Sequence, residues 1–382
     1  MTASATILFH PSQFPEAVRG ALLSSLRERQ VNHKFLYDGY KQTQKWLELH
    51  EAFSPARTDP ECGSLYEQTF AEILDRYRKS KVRVVGLGCG GGQKDAQLLR
   101  QLATAGCETR YTAVDVSAPM VLTAREAVAA AGLKAEVSMV VCDLAEAQNL
   151  SETLFPDATS ARSNAPGTPS QRYGPVPKTG VRNDSGWTNE APPLKAIEQE
   201  ADADELRLFT VFGMIPNFEP LQLLPLLAAV VRRQDGLLLS ANLAPGPIYS
   251  TGVQKILPLY DNSLTREWLW LFLSDLGFAA EDGAFDFGIE PDESNLGLLR
   301  VVARFHFGRE TTVHLGAESF TFRQGENLRV FFSYRHTPQT LTRLLAGFNL
   351  RVVRSWITSS LEEGIFLVEN AGVAVGSVAP AG

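Results

Sequence analysis

Five glycines crowd the stretch VVGLGCGGGQ, Val84 to Gln93, and their spacing is the first sign of chemistry. Gly86, Gly88 and Gly90 fit GxGxG, whereas Gly86, Gly88 and Gly91 fit GxGxxG, the turn of dinucleotide-binding folds. Either way the loop lacks Cβ atoms where a ligand could approach the backbone closely. The GxGxxG match alone is weak, because an ordinary surface turn can produce it. Two carboxylates raise it. Asp115 ends the next apolar run, RYTAVDV, where it could hold both hydroxyls of a ribose. Asp143 ends the third run, in VVCDLAE, where it could accept from an adenine amino group beside backbone amides. Aspartate also favours turns, so neither residue is decisive alone.

These residues need a sheet to position them, and the pattern supplies one. VRVVGLG, RYTAVDV and AEVSMVVCD are short β-branched runs, each followed or preceded by apolar residues at three- and four-residue spacing. Strands alternating with helices indicate a parallel sheet covered by helices. After LRLFTVFGMI and GLLLSANLA, the chain ends with a helix from Thr337 and two strands, NLRVVRSWI and GIFLVEN, joined by a short loop. That antiparallel closing pair belongs to the class I fold of S-adenosylmethionine (SAM) enzymes; a dinucleotide fold would repeat a second parallel half. Together with Asp143, it favours SAM over a nicotinamide cofactor.

Two stretches break the alternation. Residues 151–204 are rich in proline, glycine, serine and charge, the composition of a flexible insertion. Residues 246–332 read as a Trp- and Leu-rich helical part followed by alternating runs GLLRVVARFHF, TTVHLG and ESFTFRQGE, an α+β pattern. The expected organisation is therefore an α/β, Rossmann-like class I sheet with an inserted α+β substrate domain. Residues 1–55 form a mostly helical segment of the substrate domain and 56–245 the class I domain with its insertion. Residues 246–332 form the inserted domain, and 333–382 return to the sheet.

Composition narrows the partners. A net charge of −7 gives no electrostatic reason to expect nucleic acid or an anionic membrane. The cysteines at 62, 89, 107 and 142 and the six histidines lack ligand spacing, so no metal is expected. The longest apolar stretch, Leu221 to Val231, is far short of the ~20 residues that span a bilayer. With no basic, apolar leader at the N-terminus, a soluble cytoplasmic protein is the expectation.

In order and spacing, FLYDGY (35–40), FSPARTDPE (53–61), the glycine loop, AVDVS, VFGMIPNFEP (211–220) and ENLRVFFSYRHTP (326–338) carry a resemblance. The chain resembles the histidine-specific SAM-dependent methyltransferases outside the 151–204 insertion. The resemblance implies methyl transfer from SAM to the α-amino nitrogen of an amino acid. It puts Tyr37 near the acceptor amine and Asn217 at the amino-acid head group. It puts Lys94, just after the glycine loop, at the cofactor, and Phe53, Tyr260, Phe331 and Ser333 at the substrate. Two departures change the expectation. The family carries a glutamate for the histidine imidazole where this chain has Phe331, so an imidazole N–H would be left unpaired there. The loop GMIPNF is also one residue shorter than usual, with Pro216 in place of a glycine.

The reading is an N-methyltransferase for a small amine or amino acid other than histidine, with an apolar or aromatic side chain. Two alternatives stay open at this point: another SAM reaction, such as aminocarboxypropyl transfer or cyclisation, and a SAM-binding partner protein without activity. Tyr37 suits methyl transfer, since its oxygen can orient an amine and its ring can face a cation. Protein partners are not specified by the sequence.

Overall fold

A computed structural model describes residues 6–147, 150–155 and 205–371. Eight strands form the main sheet in the order β1-β4-β3-β2-β5-β6-β13-β12. Their ranges are β1 Ile7–Phe9, β2 Lys81–Leu87, β3 Glu108–Asp115, β4 Glu136–Val141, β5 Glu205–Phe212, β6 Gly236–Asn242, β12 Leu350–Ile357 and β13 Glu363–Asn370. Strands β1 to β6 pair in parallel, β13 runs antiparallel to β6, and β12 runs antiparallel to β13. The fold is a class I methyltransferase-type, Rossmann-like α/β sheet. Helices sandwich it. One apolar layer joins Phe209, Leu239 and Phe366 to the helix Pro220–Val230, and the other joins Val84, Leu238 and Ile365 to the helices Pro60–Tyr77 and Gln93–Thr104. Strands buried on both faces read as continuous apolar runs, which is why β2 and β6 stand out in the sequence.

A second, antiparallel sheet has the order β11-β8-β7, with β7 Gly283–Pro291, β8 Leu299–Phe307 and β11 Asn327–Arg335. A hairpin of β9 Thr311–Leu315 and β10 Glu318–Phe322 extends from it. The helix Ser263–Asp275 covers this sheet through Trp268, Leu269 and Phe272. Leu23, Leu26, Phe35 and Leu36 of the N-terminal segment share that same core. The first residues of the chain and its central part thus bury one another.

The structure departs from the sequence reading in four places. The N-terminal segment contributes β1 to the edge of the main sheet; a three-residue strand is too short to show a period of two. Strand β7 escaped the reading although Phe285, Phe287 and Ile289 alternate, because Gly283, Gly288 and Pro291 dilute the run. The boundary drawn between residues 332 and 333 cuts through β11. Residues 151–154 belong to a short helix, Leu150–Leu154, and the rest of the expected flexible insertion, 156–204, lies outside the described residues.

Candidate active site

The glycine loop turns from β2 into the helix Gln93–Thr104, so the helix N-terminus and its free amides face the loop. Gly88, Gly90 and Gly92 adopt φ of +64°, +51° and +71°, whereas Gly91 has no left-handed φ. The alternating register therefore governs the loop's backbone, continued one step to Gly92. At Gly92 a Cβ would lie 2.6 Å from the Cα of Ala124 in the next helix, so this glycine lets two helices approach. Gly86, expected to touch cofactor, stands off the cavity. The Asp95 carboxylate occupies the space a Cβ would need there, bonded by the Tyr111 hydroxyl at 2.6 Å and Thr210 Oγ1 at 2.8 Å. Burial raises Asp95 to a pKa of about 6.

Asp115 and Asp143 both line the cavity. Asp115 accepts from the Gly90 amide and the Ser117 amide, each at 3.0 Å, and burial lifts its carboxyl to about 6 even though those amides pull it down. Each carboxylate oxygen keeps a further lone pair for a hydroxyl donor. Asp143 accepts from the Ala145 amide at 3.0 Å, the arrangement expected of it. It also has a neighbour that sequence reasoning missed: the Lys34 ammonium lies 3.2 Å from its Oδ2, with both side chains almost fully buried. Lys34 immediately precedes the FLYDGY stretch, and its carbonyl accepts the Tyr37 amide at 3.0 Å. The signal was one residue outside the segment singled out.

The cavity measures about 730 Å³ and runs from the glycine loop past Tyr37 to Phe332 and Arg329. Tyr37 follows the 3-10 turn His33–Leu36, which Trp268 anchors by donating from Nε1 to the Leu36 carbonyl at 2.9 Å. Its ring meets Trp46 and Trp268 at centroid distances of 5.9 and 5.4 Å. Burial, with Asp115 nearby, raises the Tyr37 pKa, so it stays a neutral phenol. Asn217 Nδ2 donates to the Tyr37 hydroxyl at 3.5 Å, bringing these two expected residues together at the outer limit of a hydrogen bond. Lys94 also lines the cavity, donating to the Tyr66 hydroxyl at 2.7 Å.

Four other expected residues fall elsewhere. Phe53 is the last residue of the helix Tyr40–Phe53 and is absent from the lining, to which that helix contributes Trp46, Leu47 and His50 from earlier turns. Phe331, Ser333 and Tyr260 do come together, with Tyr260 donating to Ser333 Oγ at 2.9 Å and its ring 6.0 Å from Phe331, but outside the cavity lining. Phe331 packs instead on His33 and Trp268. Phe332 takes the lining position. The cause is a bulge: the pairing of β11 with β8 shifts between Arg329 and Phe331, and an extra residue reverses the alternation beyond it. Arg329 and Phe332, three apart, therefore face the same space. His33, which no spacing argument selected, lines it too; its Nε2 accepts the Phe332 amide at 3.2 Å, and burial beside Arg329 and Arg300 holds its pKa near 3, keeping the imidazole neutral.

Residues 15–163 match the model of the histidine-specific, SAM-dependent methyltransferases. The chain is a SAM-dependent methyltransferase. Two of the solved structures it matches are enzymes of low identity. A SAM-dependent methyltransferase from Clostridium acetobutylicum is 11% identical, covering 86% of this chain and 99% of that one, with a TM-score of 0.41. The magnesium protoporphyrin IX methyltransferase of Synechocystis is 13% identical, covering 94% and 100%, with a TM-score of 0.37. No curated protein matches the methyltransferase in sequence. Its residues suit the cofactor: the left-handed Gly88 and Gly90 leave backbone open to a ligand, and two strand-end carboxylates can accept from hydroxyl and amino donors. Among the described residues, no group of three His, Cys, Asp or Glu side chains could hold a metal ion, and no helix is long and apolar enough to cross a membrane.

Proposed function

We propose that this methyltransferase methylates the nitrogen of a small amine or amino acid other than histidine, one with an apolar or aromatic side chain, in the cytoplasm. The observation that carries the reading is one continuous cavity. It joins the glycine loop, Asp115 and Asp143 to an arm lined by Tyr37, Asn217, Met214, Phe218 and Phe332. The volume sits in the upper part of the range of single-ligand pockets, roughly 300–1,000 Å³, leaving room for an acceptor beside the cofactor.

Asp115 would hold the ribose hydroxyls, Asp143 the adenine amino group, and Lys94 the carboxylate of bound SAM, which supplies an activated methyl on a sulfonium. The remaining task of the protein is positioning, since bringing the reacting atoms to ~3 Å in line lowers the barrier by several kcal/mol. Tyr37 would orient the acceptor nitrogen. As a neutral phenol it can accept from an amine N–H, leaving the lone pair free for the methyl, and because it stays protonated it offers no phenolate to act as the base. The amine must therefore arrive unprotonated. Phe332 and Met214 would pack the side chain.

Histidine is disfavoured because Phe331 occupies the family's glutamate position and neither it nor Phe332 can pair an imidazole N–H. The test is a screen of labelled methyl transfer onto the standard amino acids and common biogenic amines. Aromatic and apolar acceptors should lead, with S-adenosylhomocysteine as co-product; histidine as the best acceptor would refute the substrate reading.

A further inference from the structure

Lys94 ends in an unusual setting. Its ammonium lies 4.2 Å from the centroid of Tyr66 and donates to that ring's hydroxyl at 2.7 Å. The Tyr66 hydroxyl in turn donates to Oε1 of Glu363 at 3.0 Å. Glu363 is the first residue of β13 and only 2% exposed; its own amide is held by Thr358 Oγ1 at 3.2 Å. Tyr66 is clamped edge-on against Phe212 at 5.4 Å and against Phe70 at 5.8 Å. A buried carboxylate thus reaches the cavity wall through one phenol and one ammonium.

Among the described residues, Lys94 forms no direct ion pair with a carboxylate. Burial lowers its pKa, opposed mainly by the charge of Glu363. An ammonium has three N–H donors, and Tyr66 uses one, so two remain for the cavity that both side chains line. Glu363 is near enough to support the charge and too far to consume it. A direct carboxylate partner would have occupied the donors that a ligand needs.

We propose that Tyr66 and Glu363 are positioning residues that hold Lys94 charged and aimed at the methionyl carboxylate of SAM. The idea rests on the cofactor reading above and adds Glu363, a residue of the C-terminal hairpin outside the span of the family match. It requires a selective effect. Losing the relay should weaken ligands that carry the carboxylate and spare those that lack it.

Calorimetric titration with S-adenosylhomocysteine and with 5′-methylthioadenosine, which has the same nucleoside but no carboxylate, separates the cases. Wild type should prefer S-adenosylhomocysteine. Lys94→Met should weaken that ligand by ~10- to 100-fold, as expected for loss of a charged hydrogen-bond partner, and move methylthioadenosine by less than about twofold. Tyr66→Phe, which keeps the ring and its packing, should reproduce the selective loss at roughly tenfold, and Glu363→Gln at a smaller factor. Equal weakening of both ligands in Tyr66→Phe, or no weakening of either, would overturn the relay while leaving the cofactor assignment intact. Binding of neither ligand to wild type would remove the cofactor reading and the relay with it.

Discussion

The glycine-loop end of the cavity and its Phe332 end are built by different means. At the first, Asp115 and the loop hang from adjacent parallel strands, and their contacts are backbone amides held in a continuous ladder. At the second, the wall is assembled from the turn His33–Leu36, the turn Ile215–Asn217 and the bulged strand β11, joined by single hydrogen bonds and ring contacts. The first arrangement is rigid and serves any reaction of one cofactor. The second can change one residue at a time, which suits choosing an acceptor.

If that contrast is right, the largest loss comes from the first end. Asp115→Ala should weaken SAM binding by a hundredfold or more whatever the acceptor, because two charge-assisted hydrogen bonds, each ~1.5–3 kcal/mol, disappear together. Calorimetry measures it directly, and near-native affinity would break the contrast at its root. Next come the neighbouring phenylalanines. Phe331→Ala should cost ~3–5 kcal/mol of unfolding free energy as a core truncation, read by denaturant titration. Phe332→Ala should instead raise the acceptor KM by about tenfold and shift side-chain preference, since it removes lining area worth ~1.5–3 kcal/mol at most. Exchanged outcomes would show that the bulge does not set the parity of β11.

Tyr37→Phe sharpens the picture further. It should lower kcat by roughly tenfold, the loss of one hydrogen bond to the acceptor, and leave SAM affinity unchanged. The last effect, of similar size, concerns pH. Burial holds Asp115 near 6, so its ionised, hydroxyl-accepting form is lost as pH falls through that value. SAM affinity should fall by about tenfold between pH 7 and pH 5, one decade per unit below the pKa. In Asp115→Asn the profile should be flat, with weaker binding at pH 7; a persisting slope would assign the titration to another group.

Legibility followed the same division. The glycine loop, Asp115, Asp143 and the closing hairpin of β12 and β13 could be read because turn chemistry and apolar runs are local signals. Even there, Gly86 proved to make room for Asp95 instead of a ligand, since the sequence does not reveal which side chain folds back over a glycine. At the other end, Tyr37 and Asn217 were singled out through family resemblance and line the cavity, whereas Phe53, Phe331, Ser333 and Tyr260 were carried over from it to positions the cavity does not reach. Phe332, His33 and Trp46 had no distinguishing pattern. An aromatic residue at helical or strand spacing reads as core whether or not it borders a cavity.

By itself, then, the sequence determined the parallel sheet, the left-handed corner after β2 and the carboxylates that end β3 and lie just past β4, since each depends on residues within a few positions of one another. Tertiary structure alone decided that Lys34 meets Asp143, that Tyr66 links Lys94 to Glu363, which lies 297 residues beyond Tyr66, and that Phe332 faces the cavity where Phe331 was expected. Those outcomes depend on which distant segments pack together and on one extra residue in a strand, and neither leaves a mark in local periodicity.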